Sequence, residues 1–310
     1  MRFSFRCIRA LLTLLPLLLA LPPDASWGKE GDFERLAGYY QELQEAAQRG
    51  PFGLPLQVHS EERPNLVSAE IRGIVDHPFK TLGATFVQPA PWCDFLSLNP
   101  NIKACTFQGN AQEILLTLYI GTRSYRSPEA ATQQPYRFLV RARQPQYAAI
   151  SLSASEGLLG TKAHQFEFEA ASVAGKTVVA LRSSYEPSAL SRLVTAVYLA
   201  TLGRDKIGFS RQQNGDGAEA GYVRGVQGMI ERGVMRYYLA LKAFVDTQEL
   251  PTSRQFEARL ITLYDLMELY PAQLRQMEKA EYLDIKRRER ENQIRLQRKI
   301  DPTTPHAAGP

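Results

Sequence analysis

The sequence predicts an α+β fold, an antiparallel sheet in the middle of the chain followed by helices. Three observations predict it. Between Glu113 and Tyr185, runs of residues alternate apolar with polar, the period of a strand with one buried face. Short glycine-containing stretches separate some of these runs, at Gly157, Gly160 and Ala174-Gly175-Lys176, as hairpin turns require. From Ser188 onward the apolar spacing changes to three and four residues, the period of an amphipathic helix.

At the N-terminus, Arg2, Arg6 and Arg9 precede an apolar run from Ala10 to Leu21, which Pro22 and Pro23 end. Ser26 and Gly28 stand where small residues precede a signal-peptidase cut. The run is too short to span a bilayer, which takes about 20 apolar residues. Residues 1–28 are therefore expected to be a signal peptide, and the mature chain a soluble protein of the periplasm. Residues 29–55 hold a first helix: Phe33, Leu36, Ala37, Tyr40, Leu43 and Ala47 recur at helical spacing between Asp32 and Arg49.

Leu66 to Val75 reads as extended, Asp76-His77-Pro78 breaks it, and Phe79 to Phe95 accommodates one or two short helices. The alternating runs follow: Glu113–Ile120, Arg137–Arg143, Tyr147–Ser155, Ala163–Ala171 and Thr177–Tyr185. Each has one apolar face, as in antiparallel strands joined by hairpins. Pro187 and Ser188 open a helix with Leu190, Leu193, Val194, Val197, Tyr198 and Thr201 on one stripe, ending near Gly203. Arg211 to Glu219 is polar and glycine-rich and reads as a linker. A long helix spans about Ala218 to Thr247, another opens after Pro251, and Pro271 breaks the pattern. Glu281 to Lys299 mixes acids and bases with few apolar residues; a solvated helix laced with i,i+4 pairs is expected. Residues 218–300 are thus a C-terminal helical extension and 301–310 a disordered tail.

Composition narrows the function. The 310 residues carry a formal net charge of +5, with three of the arginines in the leader. That balance does not argue for nucleic acid. Of 3 cysteines, Cys7 lies in the leader, leaving Cys93 and Cys105. A pair in an exported chain predicts a disulfide. A metal site is disfavoured, because the spacing is not C-x₂-C and no histidine lies beside the pair.

No catalytic constellation emerges, and no cofactor is expected. Of 4 histidines, only His164 falls on an inward strand face, where a hydrogen-bonded core histidine is the commoner case. Phosphate-loop, dinucleotide and zinc-protease motifs are absent. Arg137, Arg141 and Arg143 share an outer strand face, read as solvated or paired with Glu167 and Glu169 rather than as an anion patch. Arg224, Arg232 and Arg236 line one side of the long helix. Such a row can recognise carboxylates or phosphates, but a solvated face is the favoured reading.

The order strand, short helices, antiparallel strands, amphipathic helix, over Leu56 to Phe209, resembles the helix-grip fold of the START/Bet v1-like (SRPBCC) superfamily. The likeness lies in element order and alternation, not in a short motif. It implies a START-like domain over 56–210, with a curled sheet wrapped on the helix Ser188–Leu202 and a cavity between. Leu193, Val197 and Tyr198 would face that cavity. The opposing walls would be Leu116, Phe138, Val140, Ile150, Leu152, His164, Phe166, Leu181 and Tyr185. Trp92-Cys93-Asp94, the stretches Glu156–Thr161 and Tyr198–Lys206, and Met235–Ala240 are also similar to a family of uncharacterised secreted proteobacterial proteins, which again implies export. The expected function is non-enzymatic: holding a lipid or other apolar or amphipathic small molecule. The rivals are an envelope assembly protein whose protein partner docks on the terminal helices, and an enzyme built in the cavity.

Overall fold

The computed structural model describes residues 30–49, 53–110, 113–213 and 219–301. The signal peptide expected at 1–28 and the tail after Asp301 lie outside them. Two short helices come first among the described residues, α1 (Glu30–Ala37) and α2 (Tyr40–Arg49), where one continuous helix was expected. Strands β1 (Leu56–Arg63) and β2 (Leu66–Val75) form a hairpin, followed by α3 (Phe79–Phe86) and α4 (Pro89–Leu96). Then come β3 (Ile102–Gly109), β4 (Ile114–Ile120), β5 (Thr132–Arg143), β6 (Tyr147–Glu156), β7 (Lys162–Val173) and β8 (Lys176–Glu186). These make one antiparallel 8-stranded sheet in the order β1-β2-β8-β7-β6-β5-β4-β3. The β7–β8 turn is Ala174-Gly175, both at positive φ (50° and 78°), the two-residue geometry that matches strand twist.

The two strands not anticipated, β1 and β3, are the two edges of the sheet. β1 is charged and polar along His59-Ser60-Glu61-Glu62-Arg63, which keeps an edge from pairing with other chains. β3 is protected differently, by the last helix.

After β8 come α5 (Ala189–Ala200), β9 (Arg211–Gln213), β10 (Glu219–Tyr222), α6 (Gly225–Asp246), α7 (Thr252–Glu268), α8 (Pro271–Leu274) and α9 (Lys279–Ile300). The segment read as a linker therefore begins and ends in paired strands: β9 and β10 form a small antiparallel ribbon. Among the described residues no helix is long and apolar enough to cross a membrane.

The fold is α+β, and the sheet holds a long helix against its inner face, but that helix is α6, not the expected Ser188–Leu202. Val234, Met235, Tyr238, Leu239, Leu241 and Val245 of α6 are all buried in the main core. Gly73 on β2 makes the close approach possible: a Cβ there would lie 2.5 Å from the Tyr238 ring, whose hydroxyl donates to the Ile74 carbonyl at 3.2 Å. Glu231, fully buried, fixes the N-terminal half of the helix. Its carboxylate accepts from Ser60 Oγ on β1 (2.6 Å) and from the backbone N–H groups of Phe209 (2.6 Å) and Ser210 (2.9 Å). By contrast, Ser188 and Ser191 cap α5 in a capping box, and Ser191 is its one buried residue.

Helices α1 and α2 cover part of the outer face. Leu36 and Leu43 join Ile74, Tyr147, Ala149, Ala171, Val178 and Ala180 in a second core. Glu169, expected as an exposed partner for strand arginines, is buried and takes Arg35 at 2.5 Å and the Tyr147 hydroxyl. The disulfide forms as predicted, joining Cys93 of α4 to Cys105 of β3 with Cα atoms 4.9 Å apart.

Helix α9 departs most from expectation. One side of it is buried along β3: Tyr282, Ile285, Lys286, Glu289, Gln293 and Gln297. Gln293 Oε1 accepts from Cys105 N (2.8 Å), while Gln297 accepts from Phe107 N (2.9 Å) and donates to Phe107 O (2.8 Å). Side chains of the helix thus complete the unpaired backbone of an edge strand.

Candidate functional site at the open end of the sheet

The deep part of the hollow is filled. Leu116, Ile150, Leu152 and Leu181 are at most 1% exposed, which leaves no water-sized space beside them. The sequence did not assign the groups that fill it. Phe86 of α3 and Trp92 and Phe95 of α4 meet edge to face, and Trp92 packs in the same way on Phe138, Phe166 and Phe168. Trp92 Nε1 donates to the Phe86 carbonyl at 2.7 Å, so the ring is buried without an orphaned donor. Four expected lining residues (Leu116, Ile150, Leu152 and Leu181) are therefore core rather than cavity wall, and Phe138 and Phe166, 4% and 7% exposed, belong to the same cluster.

The opposite end is less closed. Tyr136 (β5), His164 (β7) and Tyr185 (β8) are half-buried near the sheet's end, as is Tyr237 of α6; Val140, also half-buried, is paired with Ile150 nearer the packed centre. The His164 ring stacks on Tyr185 with centroids 5.5 Å apart and meets Tyr136 edge-on at 6.4 Å. Tyr237 packs on Phe166 at 5.1 Å and Phe95 at 6.2 Å. Burial pushes the Tyr185 and Tyr136 hydroxyls up, with Tyr237 adding to the latter, and holds Tyr237 at about 12. All three stay neutral donors at neutral pH. Burial also pushes His164 down, favouring neutral imidazole. Thr161 Oγ1 donates to the Leu158 carbonyl and sits 2.7 Å from His164 Nε2. With its one proton committed, the hydroxyl accepts from Nε2–H. His164 Nε2 is thus satisfied by a hydroxyl, and among the described residues no carboxylate bonds the ring to orient it as a base.

Helix α5 lies across this end. Ser188 Oγ donates to the Leu159 carbonyl in the β6–β7 turn at 2.6 Å, and Arg192 donates to the Pro64 carbonyl in the β1–β2 turn. Tyr198, half-buried, places its hydroxyl against the Arg232 guanidinium of α6. The expected inward pair Leu193 and Val197 is instead 63% and 57% exposed, beside Leu190 at 54% and Val194 at 42%. Of the three α5 residues expected to line the hollow, Tyr198 alone is partly covered.

On the α6 side the mouth is cationic. Arg232 and Arg236, read as a solvated face, are 2% and 8% exposed. Burial, then the neighbouring Arg232, pushes Arg236 down to about 10. Burial lowers Arg232 as well, with Tyr198 and Glu231 opposing. Arg224 is exposed, as expected of it. No group of His, Cys, Asp and Glu side chains suited to a metal ion occurs among the described residues.

No protein-family model matches the sequence, and no curated protein matches it. Solved structures do match. A STAR-related lipid transfer protein fragment from Xanthomonas axonopodis is 10% identical, covers 46% of this chain and 85% of its own, and has a TM-score of 0.34. Human STARD10 is 12% identical over 59% of this chain and 78% of its own, TM-score 0.30. Ara h 8.0201 is 10% identical over 47% of this chain and 92% of its own, TM-score 0.29. Likeness at this level carries no argument about ligand or activity. The helix-grip assignment rests on the antiparallel strand order and on the seat of α6 against the sheet's inner face.

Proposed function

We propose that the protein, exported to the periplasm, binds an amphipathic small molecule of lipid type at the open end of the sheet. The apolar part would lie between α5 and the wall of Tyr136, His164, Tyr185 and Tyr237. The observation that carries this reading is α5 itself. It is tethered at both ends across a half-buried aromatic mouth, yet its apolar side chains Leu190, Leu193, Val194 and Val197 stand largely in solvent. Apolar side chains gathered on one short helix above a mixed aromatic and polar wall suit a ligand with an apolar tail. Because the deep hollow is packed by Phe86, Trp92 and Phe95, the ligand occupies the mouth and not the centre of the sheet.

Organic extraction of the purified protein followed by mass spectrometry, with titration of a fluorescent fatty acid, tests the reading. A stoichiometric amphiphile, or saturable probe binding that an unlabelled amphiphile displaces, is expected. A clean extract together with no saturable binding would remove it.

A further inference from the structure

Arg232 and Arg236 stand one turn apart on α6 and are almost wholly buried. Within the protein their bonds do not match their charge. Arg232 Nη1 donates to the Ile207 carbonyl at 3.2 Å, and Arg236 Nη1 donates to the Arg232 carbonyl at 3.3 Å. Among the described residues Arg236 Nε is buried with no partner, as is Arg259 Nε. Among the described residues neither guanidinium forms an ion pair. The adjacent acid, Glu231, is spent on Ser60, Phe209 and Ser210.

Another buried arginine shows how the same fold treats such a charge when it is structural. Arg259, 5% exposed, has Asp94 at 3.6 Å and lies over the Phe244 ring at 3.8 Å. Among the described residues Arg236 has no acid in that role. Its neighbourhood adds positive charge: half-buried Lys206 is disfavoured as an ammonium first by burial and then by Arg236, Arg232 and Arg123. The Lys206 ammonium is anchored on the Arg275 carbonyl at 2.9 Å, again without a carboxylate. Buried like charges with no counter-charge are costly, and proteins keep them where something completes them. Guanidinium forks with free N–H groups complete themselves on oxyanions.

We propose that Arg232 and Arg236, with Lys206 at the rim and the Tyr198 hydroxyl beside them, form an oxyanion subsite that takes the carboxylate or phosphate head of the amphipathic ligand. The proposal rests on the ligand-binding reading above and specifies its chemistry: an anionic head on α6, with the apolar tail running under α5 past Tyr237. Tyr198 is the hinge between the two halves, because it belongs to α5 and touches Arg232.

The test compares dodecyl phosphate, dodecanoate, dodecanol and inorganic phosphate by titration calorimetry on the purified protein and on Arg236→Gln, Arg236→Lys and Lys206→Gln. The two anionic amphiphiles are expected to bind about tenfold or more tighter than dodecanol. Arg236→Gln should erase that preference by weakening the two anionic amphiphiles about tenfold more than dodecanol; Arg236→Lys should restore part of it, and Lys206→Gln should weaken it. Equal affinity for the three amphiphiles, untouched by the substitutions, overturns the subsite and leaves amphiphile binding standing. Binding of inorganic phosphate with no gain from a dodecyl chain supports the subsite and overturns the amphiphile. Binding of none of the four overturns both. Thermal melting without ligand guards against a purely structural arginine. Arg236→Gln is expected to melt no lower than the wild type, since it loses an uncompensated charge. A large drop in melting temperature with the head-group preference intact makes the arginine structural and the proposal wrong.

Discussion

Lys286 is a cation with almost no solvent, held by the Asn99 and Ile102 carbonyls and by Glu289, which also receives Lys103. Burial is the largest influence and pushes its ammonium down to about 8, against the pull of Glu289. The sign follows from linkage. Between about pH 8 and the ordinary lysine value, the unfolded chain keeps a proton that the folded chain has released. This residue's contribution to stability therefore rises with pH across that window, and its burial penalty is felt in full below it. Lys286→Met removes that slope. Measured by urea denaturation at several pH values, wild type minus variant stability should increase by about 1–3 kcal/mol from pH 7 to pH 10. The buried tyrosines act oppositely in both proteins and cancel in the difference. A flat difference would place the Lys286 ammonium in an ordinary environment. Residues of this kind were not legible in the sequence. Lys286, Glu289, Gln293 and Gln297 are polar on a helix, and polar helix positions read as solvent-facing, whereas here Lys286 and the two glutamines bond backbone groups in or beside β3 and Glu289 takes the ammonium groups of Lys103 and Lys286, all but Lys286 far away in sequence. Arg232 and Arg236 misled in the same way. The cysteine pair was legible because an even pair in a chain expected to be exported already predicts a bridge, and Ser188 because a cap is a local device.

At the level of elements, the interior strands were legible and the edges were not. β4 and β6 to β8 each lie between two neighbours and carry a continuous apolar inner face, although β6 to β8 also bury part of their outer face under α1 and α2. β5 was recognised only from Arg137, because Pro135 interrupts its pattern, and this hid Tyr136 of the mouth. Edge strand β3 depends on α9 for its outer hydrogen bonds, which no local pattern in β3 announces. The gripped helix was misassigned for a related reason. α5 has the tidier apolar stripe and directly follows the last strand, whereas α6 is buried on several sides and carries charges inside. The dependence of β3 on α9 predicts the effect of removing its partners. Gln293→Leu and Gln297→Leu should each cost about 1–3 kcal/mol, because Cys105 N or Phe107 N is left buried and unpaired. The double variant should also expose the edge to pairing with a second copy. Chemical denaturation reads the first effect and light scattering the second. Losses within experimental error in both variants would show that water replaces the glutamines and that α9 is not what shields the edge.

Across the whole molecule, stability and binding are carried by different parts. The main core joins the inner face of the sheet to α3, α4, α6, α7 and the start of α9, and the second core seats α1 and α2 on the outer face. Helix α5 contributes its apolar residues to neither. Its attachments are the Ser188 and Arg192 bonds at one end and Tyr198 at the other. An element with few buried contacts opens at low free energy, independently of the global unfolding of the cores. In hydrogen exchange, amides of α5 should therefore exchange well before those of α6, although both are regular helices. Added dodecyl phosphate should slow α5 selectively, because the ligand gives its apolar stripe something to pack on. Leu193→Gln and Val197→Gln should leave the melting temperature nearly unchanged, as exposed substitutions do, within about 0.5 kcal/mol, and should weaken amphiphile uptake. If instead α5 exchanges as slowly as α6, or the two substitutions destabilise the protein as core changes would, then α5 is an ordinary packed element and its exposed stripe does not serve binding.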